Sequence, residues 1–289
     1  PACGTGGFLV STYQHILEQH DQQDDPEKKE SPLTPDERRM LMNNLQGYDI
    51  DPSMVRISQV NMYLHRFKNP QVFQYDSLTN EDRWGEKFDV ILANPPFMSP
   101  KGGIKPHQRF SVKSGKSEVL FVDYILNHLK PAGRSAVIVP EGVVTQIGKS
   151  HKAIRKMLLD QGLYAVLSLP PGVFRPYSGV KTDILFIEKS LSERDEILFL
   201  EIANDGFDSG SSKAPIEEND LPEALELLKA WRDGKKIDSP LALYVSKNRI
   251  GEKGDYKLLG KRYRDSLQLE SRWEIKMLGE IAEVKKGQA

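Results

Sequence analysis

The chain has 289 residues, 38% of them hydrophobic, which is enough to bury a substantial core as one large domain with an appendage or as two smaller ones. Its 40 basic and 41 acidic side chains leave a formal charge of −1, so any nucleic-acid contact must come from a local basic surface or from a partner. A single cysteine excludes an internal disulfide, and no apolar run approaches the roughly 20 residues that span a bilayer, so a reduced, cytoplasmic setting without membrane contact is expected.

Residues Gly7 to Glu18 have a helical pattern. From Gln19 to Arg38 the chain turns polar and charged, an exposed connection that ends in a short helix capped at Thr34 with Pro35 at its first position. A strand is predicted over Leu45 to Ile50, a helix over Pro52 to Phe67, and strands over Val72 to Tyr75 and Phe88 to Ala93. A loop rich in Gly and Lys leads to a helix from Ser117 to Leu129, stopped by Pro131 and Gly133. Beyond it lie a strand Ser135 to Val139, a helix Lys149 to Gln161, and strands Ala165 to Leu169, Asp183 to Glu188 and Ile197 to Ile202. This alternation over about two thirds of the chain is the pattern of an α/β fold with a doubly wound, mostly parallel sheet.

Three groups of residues carry chemistry, and their order matters. Pro1 to Phe8 form a glycine-rich turn opening directly into a helix. Its candidate contacts are Ala2, Gly4, Thr5, Gly6 and Gly7, whose backbone can approach a ligand closely beside free helix N–H groups. Such a turn can also be a plain tight connection. Asp49, at the carboxyl end of the next strand, is placed to accept from both hydroxyls of a ribose, while Asp51 before Pro52 reads as a helix N-cap. Asp76, directly after the strand Val72 to Tyr75, can accept from an adenine amine or simply cap a turn.

The third group is Asn94-Pro95-Pro96-Phe97, at the tip of an apolar strand. An exocyclic amine on a base is a poor nucleophile, because its lone pair is delocalised into the ring. The side-chain oxygen of Asn94 and the carbonyl of Pro95 can each accept one N–H, which localises that lone pair. The two prolines stiffen the turn, and Phe97 offers a flat face to an extruded base. As a plain turn the motif would carry no such chemistry.

In sequence order, Pro1 to Leu9, Gly47 to Pro52, Asn61-Met62-Tyr63-Leu64-His65, Asp76-Ser77-Leu78 and Asn94 to Phe97 resemble the adenine-specific DNA methyltransferases, in particular the modification subunit of type I restriction-modification systems. Pro131 to Pro140 and Leu169 to Phe186 are similar to that subunit's later motifs, so the resemblance covers roughly residues 1 to 205. It implies a Rossmann-like methyltransferase fold, S-adenosylmethionine as cofactor and N6 of adenine in DNA as the acceptor. It also implies a specificity subunit or fused recognition domain and a restriction subunit as partners. In such a protein the glycine-rich loop takes the methionine end of the cofactor, Asp49 its ribose and Asp76 its adenine. Asn94 to Phe97 take the target, and Phe174 helps hold the flipped base, unless it is a core aromatic. Lys101, Lys105 and Arg109, in the loop with Lys113 and Lys116, would contact phosphates or form a solvated loop.

The organisation expected is a catalytic domain over 1–205, a helical extension over 206–270 and, over 271–289, the opening of a recognition segment or an ordinary hairpin. A glycine-rich loop of this kind follows a central strand, whereas this sequence opens at the loop. A fragment lacking that strand and a helical N-terminal domain is therefore expected. Protein-glutamine or RNA-adenine methylation, and a non-catalytic DNA-binding subunit, are the competing readings.

Overall fold

The computed structural model describes residues 1–21, 33–97, 102–208, 210 and 213–264. In chain order the first elements are α1 (Gly7–Asp21), α2 (Pro35–Asn44), β1 (Gln46–Asp49), α3 (Pro52–Leu64), β2 (Gln71–Gln74) and β3 (Phe88–Ala93). There follow α4 (Ser117–His128), β4 (Leu129–Pro140), α5 (Glu141–Thr145), α6 (Lys149–Asp160), β5 (Leu163–Ser168), β6 (Thr182–Glu188) and β7 (Glu196–Glu201). The last are β8 (Asp205–Phe207), β9 (Pro215–Asn219), α7 (Leu221–Arg232), β10 (Ala242–Ser246) and α8 (Lys247–Gly251).

Local chemistry sets several of these boundaries. Thr34 and Glu37 form a reciprocal capping box at the start of α2, with the Thr34 N–H donating to Glu37 at 2.8 Å. Asp51 caps α3 by accepting from the Ser53 N–H at 2.7 Å, and Pro52 takes the first helical position. On α6 the buried residues His151, Ile154, Arg155, Leu158 and Leu159 share one face at helical spacing.

The main sheet runs β10-β7-β5-β6-β4-β3. β3 pairs parallel with β4, and β6 lies antiparallel to both β4 and β5. β7 is parallel to β5, so β3, β4, β5 and β7 point the same way while β6 and β10 oppose them. Every residue of β5 is buried, with Val166 in the core under α4 and α6 and Ala165 and Leu167 in the core under α7. Helices therefore cover both faces, as a doubly wound sheet requires.

β1 and β2 form a separate parallel pair packed on α1 and α3 through Val10, Tyr13, Val55, Met62 and Phe67. Among the described residues no strand pairs with the β3 edge that faces β1. Val90 and Leu92 on β3 are 46% and 38% exposed, and a small groove lined by Tyr48, Phe88 and Ile91 lies there.

The helical extension expected beyond residue 205 contains more strand than helix-period reading suggested. α7 does pack on the sheet, with Trp231 Nε1 donating to the Tyr164 carbonyl at 2.8 Å, but Ala242–Ser246 joins the main sheet as β10. The difference is tertiary: β7 offers a free edge that this short alternating segment fills. The connection expected from Gln19 is still helical to Asp21, and residues 22–32 and the proposed recognition segment at 271–289 lie outside the described residues. No described helix is long and apolar enough to cross a membrane.

Candidate active site

The glycine-rich loop, Asp49, Asp76 and Asn94 all sit at the carboxyl ends of β1, β2 and β3, the edge at which open α/β sheets take ligands. The loop is fastened to β1 by its own backbone: the Cys3 N–H donates to the Tyr48 carbonyl at 2.8 Å, and the Gly4 N–H to Asp49 Oδ2 at 2.9 Å. Glycine is required at Gly6, where φ is +77° and an added Cβ would stand 2.4 Å from Ser58 Oγ. Burial, and then the neighbouring Asp49, push the Cys3 thiol above its ordinary value, so it remains neutral packing material.

Asp49 has a task that its sequence context did not reveal. Besides accepting from Gly4 it accepts from the Asp51 N–H at 3.0 Å, and it is only 8% exposed. A carboxylate offers about four lone-pair sites, so each oxygen keeps an acceptor position for a ligand. Asp76 is similar. Its Oδ1 takes the N–H groups of Leu78 and Thr79 at 2.9 and 3.2 Å, and the Thr79 hydroxyl donates to Oδ2. The turn-capping role is therefore real, and the same half-buried carboxylate also faces the cavity.

That cavity has a volume of about 690 Å³ and is lined jointly by Ala2, Gly4, Asp49, Asp76, Asn94 and Pro96. Its apolar wall is Leu78, Ile104 and Phe121, packed with Ala2 and Leu120. Ile104 reaches it because the loop after Gly102 folds back on itself, with the Ile104 N–H donating to the Gly115 carbonyl at 2.9 Å. The fold-back also brings Lys105 to the rim. At the foot of α4 the Ser117 hydroxyl donates to the Pro96 carbonyl at 3.4 Å, steadying the Asn-Pro-Pro turn.

Other expected site residues lie elsewhere. Thr5 is exposed, Gly6 is buried on Ser58 and Gly7 begins α1, so none of the three lines the cavity. Pro95 is buried and Phe97 half-buried beside it. Phe174 packs against the core that Leu167, Leu169 and Trp231 form under α7, away from the cavity, while Tyr177 three residues on is 95% exposed. Arg109 is exposed and 3.9 Å from Glu81, and Lys101 lies outside the described residues. Ile50, Ile104, Ser117 and Phe121 were not anticipated. Only Ile50 had a usable signal in the sequence, as an apolar residue between two aspartates at a strand end, and it is 63% exposed.

Residues 1–271 match the family model described as N-6 DNA Methylase. The chain belongs to that family. This N-6 DNA methylase chain is 29% identical over 260 residues to the type I restriction enzyme EcoEI methylase subunit of Escherichia coli, a match covering 84% of this chain and 50% of that protein. It therefore spans about half the length of that relative. Among solved structures, one from a study of complex assembly and conformational transition of the type I R-M system matches with a TM-score of 0.74 at 31% identity, over 97% of this chain and 56% of that one. The type I restriction enzyme EcoKI M protein matches with a TM-score of 0.64 at 26% identity, over 79% and 47%. The resemblance drawn from the motifs, and the Rossmann-like methyltransferase fold expected with it, are thus borne out.

Proposed function

We propose that this chain is the methyl-transferring part of a type I modification subunit, acting in the cytoplasm on the N6 amine of adenine in DNA with S-adenosylmethionine as donor. The observation that carries the reading is the lining of one cavity by Ala2, Gly4, Asp49 and Asp76 together with Asn94 and Pro96. The donor set fits the cofactor: Asp49 keeps acceptor positions for a ribose diol, Asp76 one for a ring amine, and Leu78, Ile104 and Phe121 an apolar slot for the ring. Family membership and relatives named as methylase subunits support the same chemistry.

The bound cofactor would supply an electrophilic methyl group. The remaining work falls to this chain. Asn94 Oδ1 and the Pro95 carbonyl would each accept one N–H of the target amine, localising its lone pair for attack. Ser117 holds the following carbonyl, so the turn needs little reorganisation when the base arrives. Phe97 would stack on the extruded base. Lys105, with the exposed Lys113 and Lys116, would contact phosphates, and a specificity subunit would supply base readout, with a restriction subunit as further partner.

The test is transfer of tritiated methyl from S-adenosylmethionine to DNA by the protein with its native partners, followed by nucleoside analysis. N6-methyl-2′-deoxyadenosine in the digest is expected. Methylcytosine would overturn the adenine assignment, and label retained in protein or RNA would replace this function with one of its competitors.

A further inference from the structure

The segment Asn61-Met62-Tyr63-Leu64-His65 stands out in the sequence, yet none of it lines the cavity. Met62 is fully buried among the side chains that join α1, α3 and β2, which accounts for it as core. Asn61 is different. Its Nδ2 donates to the carbonyl of Thr5 at 2.9 Å, across 56 residues of sequence.

This bond completes a series along the glycine-rich loop. Cys3 and Gly4 are tied through their N–H groups to Tyr48 and Asp49 on β1, and Thr5 is tied through its carbonyl to α3. Ser58 lies one helical turn before Asn61 on the same face of α3, and it is the residue against which Gly6 is pressed. The loop is thus gripped by β1 on one side and by α3 on the other, just before the chain turns into α1.

We infer that Asn61 is a positioning residue for the cofactor loop: by holding the Thr5 carbonyl on α3 it keeps Ala2 and Gly4 turned toward the cavity. The inference rests on the proposed cofactor reading of that cavity. Asn61 touches no part of the cavity itself, so its removal should change how well the loop is pre-arranged and leave the groups around Asn94 as they are.

The experiment uses the protein isolated with its native partners, carrying Asn61→Asp, Asn61→Ala or Asp49→Ala. Asn61→Asp keeps the shape, removes the donor and sets a negative charge against the Thr5 carbonyl. Calorimetry with S-adenosylmethionine and S-adenosylhomocysteine gives Kd, and steady-state assays give kcat at saturating cofactor and KM for DNA. The expected result for Asn61→Asp is a rise of about threefold to tenfold in both cofactor Kd values, the scale of one net hydrogen bond whose exposed carbonyl water can take over, with kcat and the DNA KM nearly unchanged. Asn61→Ala should show the same split, and serves alone if the aspartate variant does not fold. Unchanged Kd values in the Asn61 variants beside a raised one in Asp49→Ala would overturn this inference and leave the functional reading standing. A fall in kcat with Kd kept would overturn it too, by making Asn61 an ordinary structural residue. Absence of cofactor binding by the unmodified protein would remove the functional reading and this inference with it.

Discussion

Replacing Asp49 by Asn tests the site most sharply, because the two side chains are nearly isosteric and differ in what they can accept. In the native fold one carboxylate oxygen takes the Gly4 N–H at 2.9 Å and the other the Asp51 N–H at 3.0 Å. A carboxamide can serve only one of these donors and turns its own NH₂ toward the other. One charge-assisted hydrogen bond is then lost, and a backbone N–H of a residue pair that is 8% exposed at Asp49 faces a second donor. Bonds of this class contribute about 1.5–3 kcal/mol, so unfolding stability should fall by roughly that amount. Cofactor binding should weaken as well, by a comparable factor, since the loop and the ribose acceptor are both disturbed. Urea denaturation of ligand-free protein measures the first effect and calorimetry with S-adenosylmethionine the second. Unchanged stability with weakened binding would show that the backbone bonds of Asp49 carry no weight. Unchanged binding with reduced stability would remove Asp49 from the cofactor site.

Asn94→Ala should reduce methyl transfer about a hundredfold or more, the scale of one lost transition-state hydrogen bond, while the cofactor Kd stays near its original value; a single-turnover assay with near-normal rate would refute the assigned role. Asp183 is fully buried, and burial pushes its carboxyl up to about 6 against the opposing hydrogen bond from Ser168 (2.5 Å) and the charge of Lys181, with Glu141 and Glu201 reinforcing the rise. A raised carboxyl binds its proton more tightly in the folded state, so its contribution is fully present below about pH 4 and is lost as pH rises through 6. Native protein should therefore lose on the order of 3 kcal/mol relative to Asp183→Asn between pH 4 and pH 7, and parallel stability profiles of the two would contradict this. With a formal charge of −1 and one short basic loop, the chain alone should bind duplex DNA weakly and without sequence preference at physiological salt; tight, site-specific binding in a titration without any partner would place recognition within it.

Motif order was legible because it rests on local rules. A strand end followed by Asn-Pro-Pro, an Asp-Pro pair opening one helix and a Thr-Pro pair opening another each announce themselves within four residues, and β3, α3 and α2 formed where those signals stood. What stayed hidden depends on distance along the chain. Ile104 joins the cavity only because its loop closes on Gly115, and Phe121 only because α4 then lies beneath that loop. For Phe174 the sequence left a target-base residue and a core aromatic open, and its packing against the core that Leu167 and Trp231 share depends on α7, more than forty residues on. β10 was missed for the same reason, since a five-residue segment becomes a strand when an edge is there to receive it.

The two aspartates show why a site can be half legible. Sequence context identifies the acid at a strand end, and it offers a choice between capping and ligand binding. At Asp76 the two are compatible, because backbone N–H groups occupy part of the carboxylate and the residue also lines the cavity, and Asp49 likewise accepts from backbone N–H groups while lining it. On the proposed reading the two roles would support each other. Backbone donors fix the rotamer and offset the cost of holding a charge away from water, so a ligand meets an acceptor already oriented. Asn94 gains the same rigidity from Pro95 and Pro96, with Ser117 holding the carbonyl that follows. Tyr177 and Arg109 carry no comparable constraint, being 95% exposed in the first case and in a long surface ion pair in the second. Residues held as firmly as Asp49 are suited to a ligand of fixed shape, and side chains as free as Tyr177 to a surface whose position a partner sets.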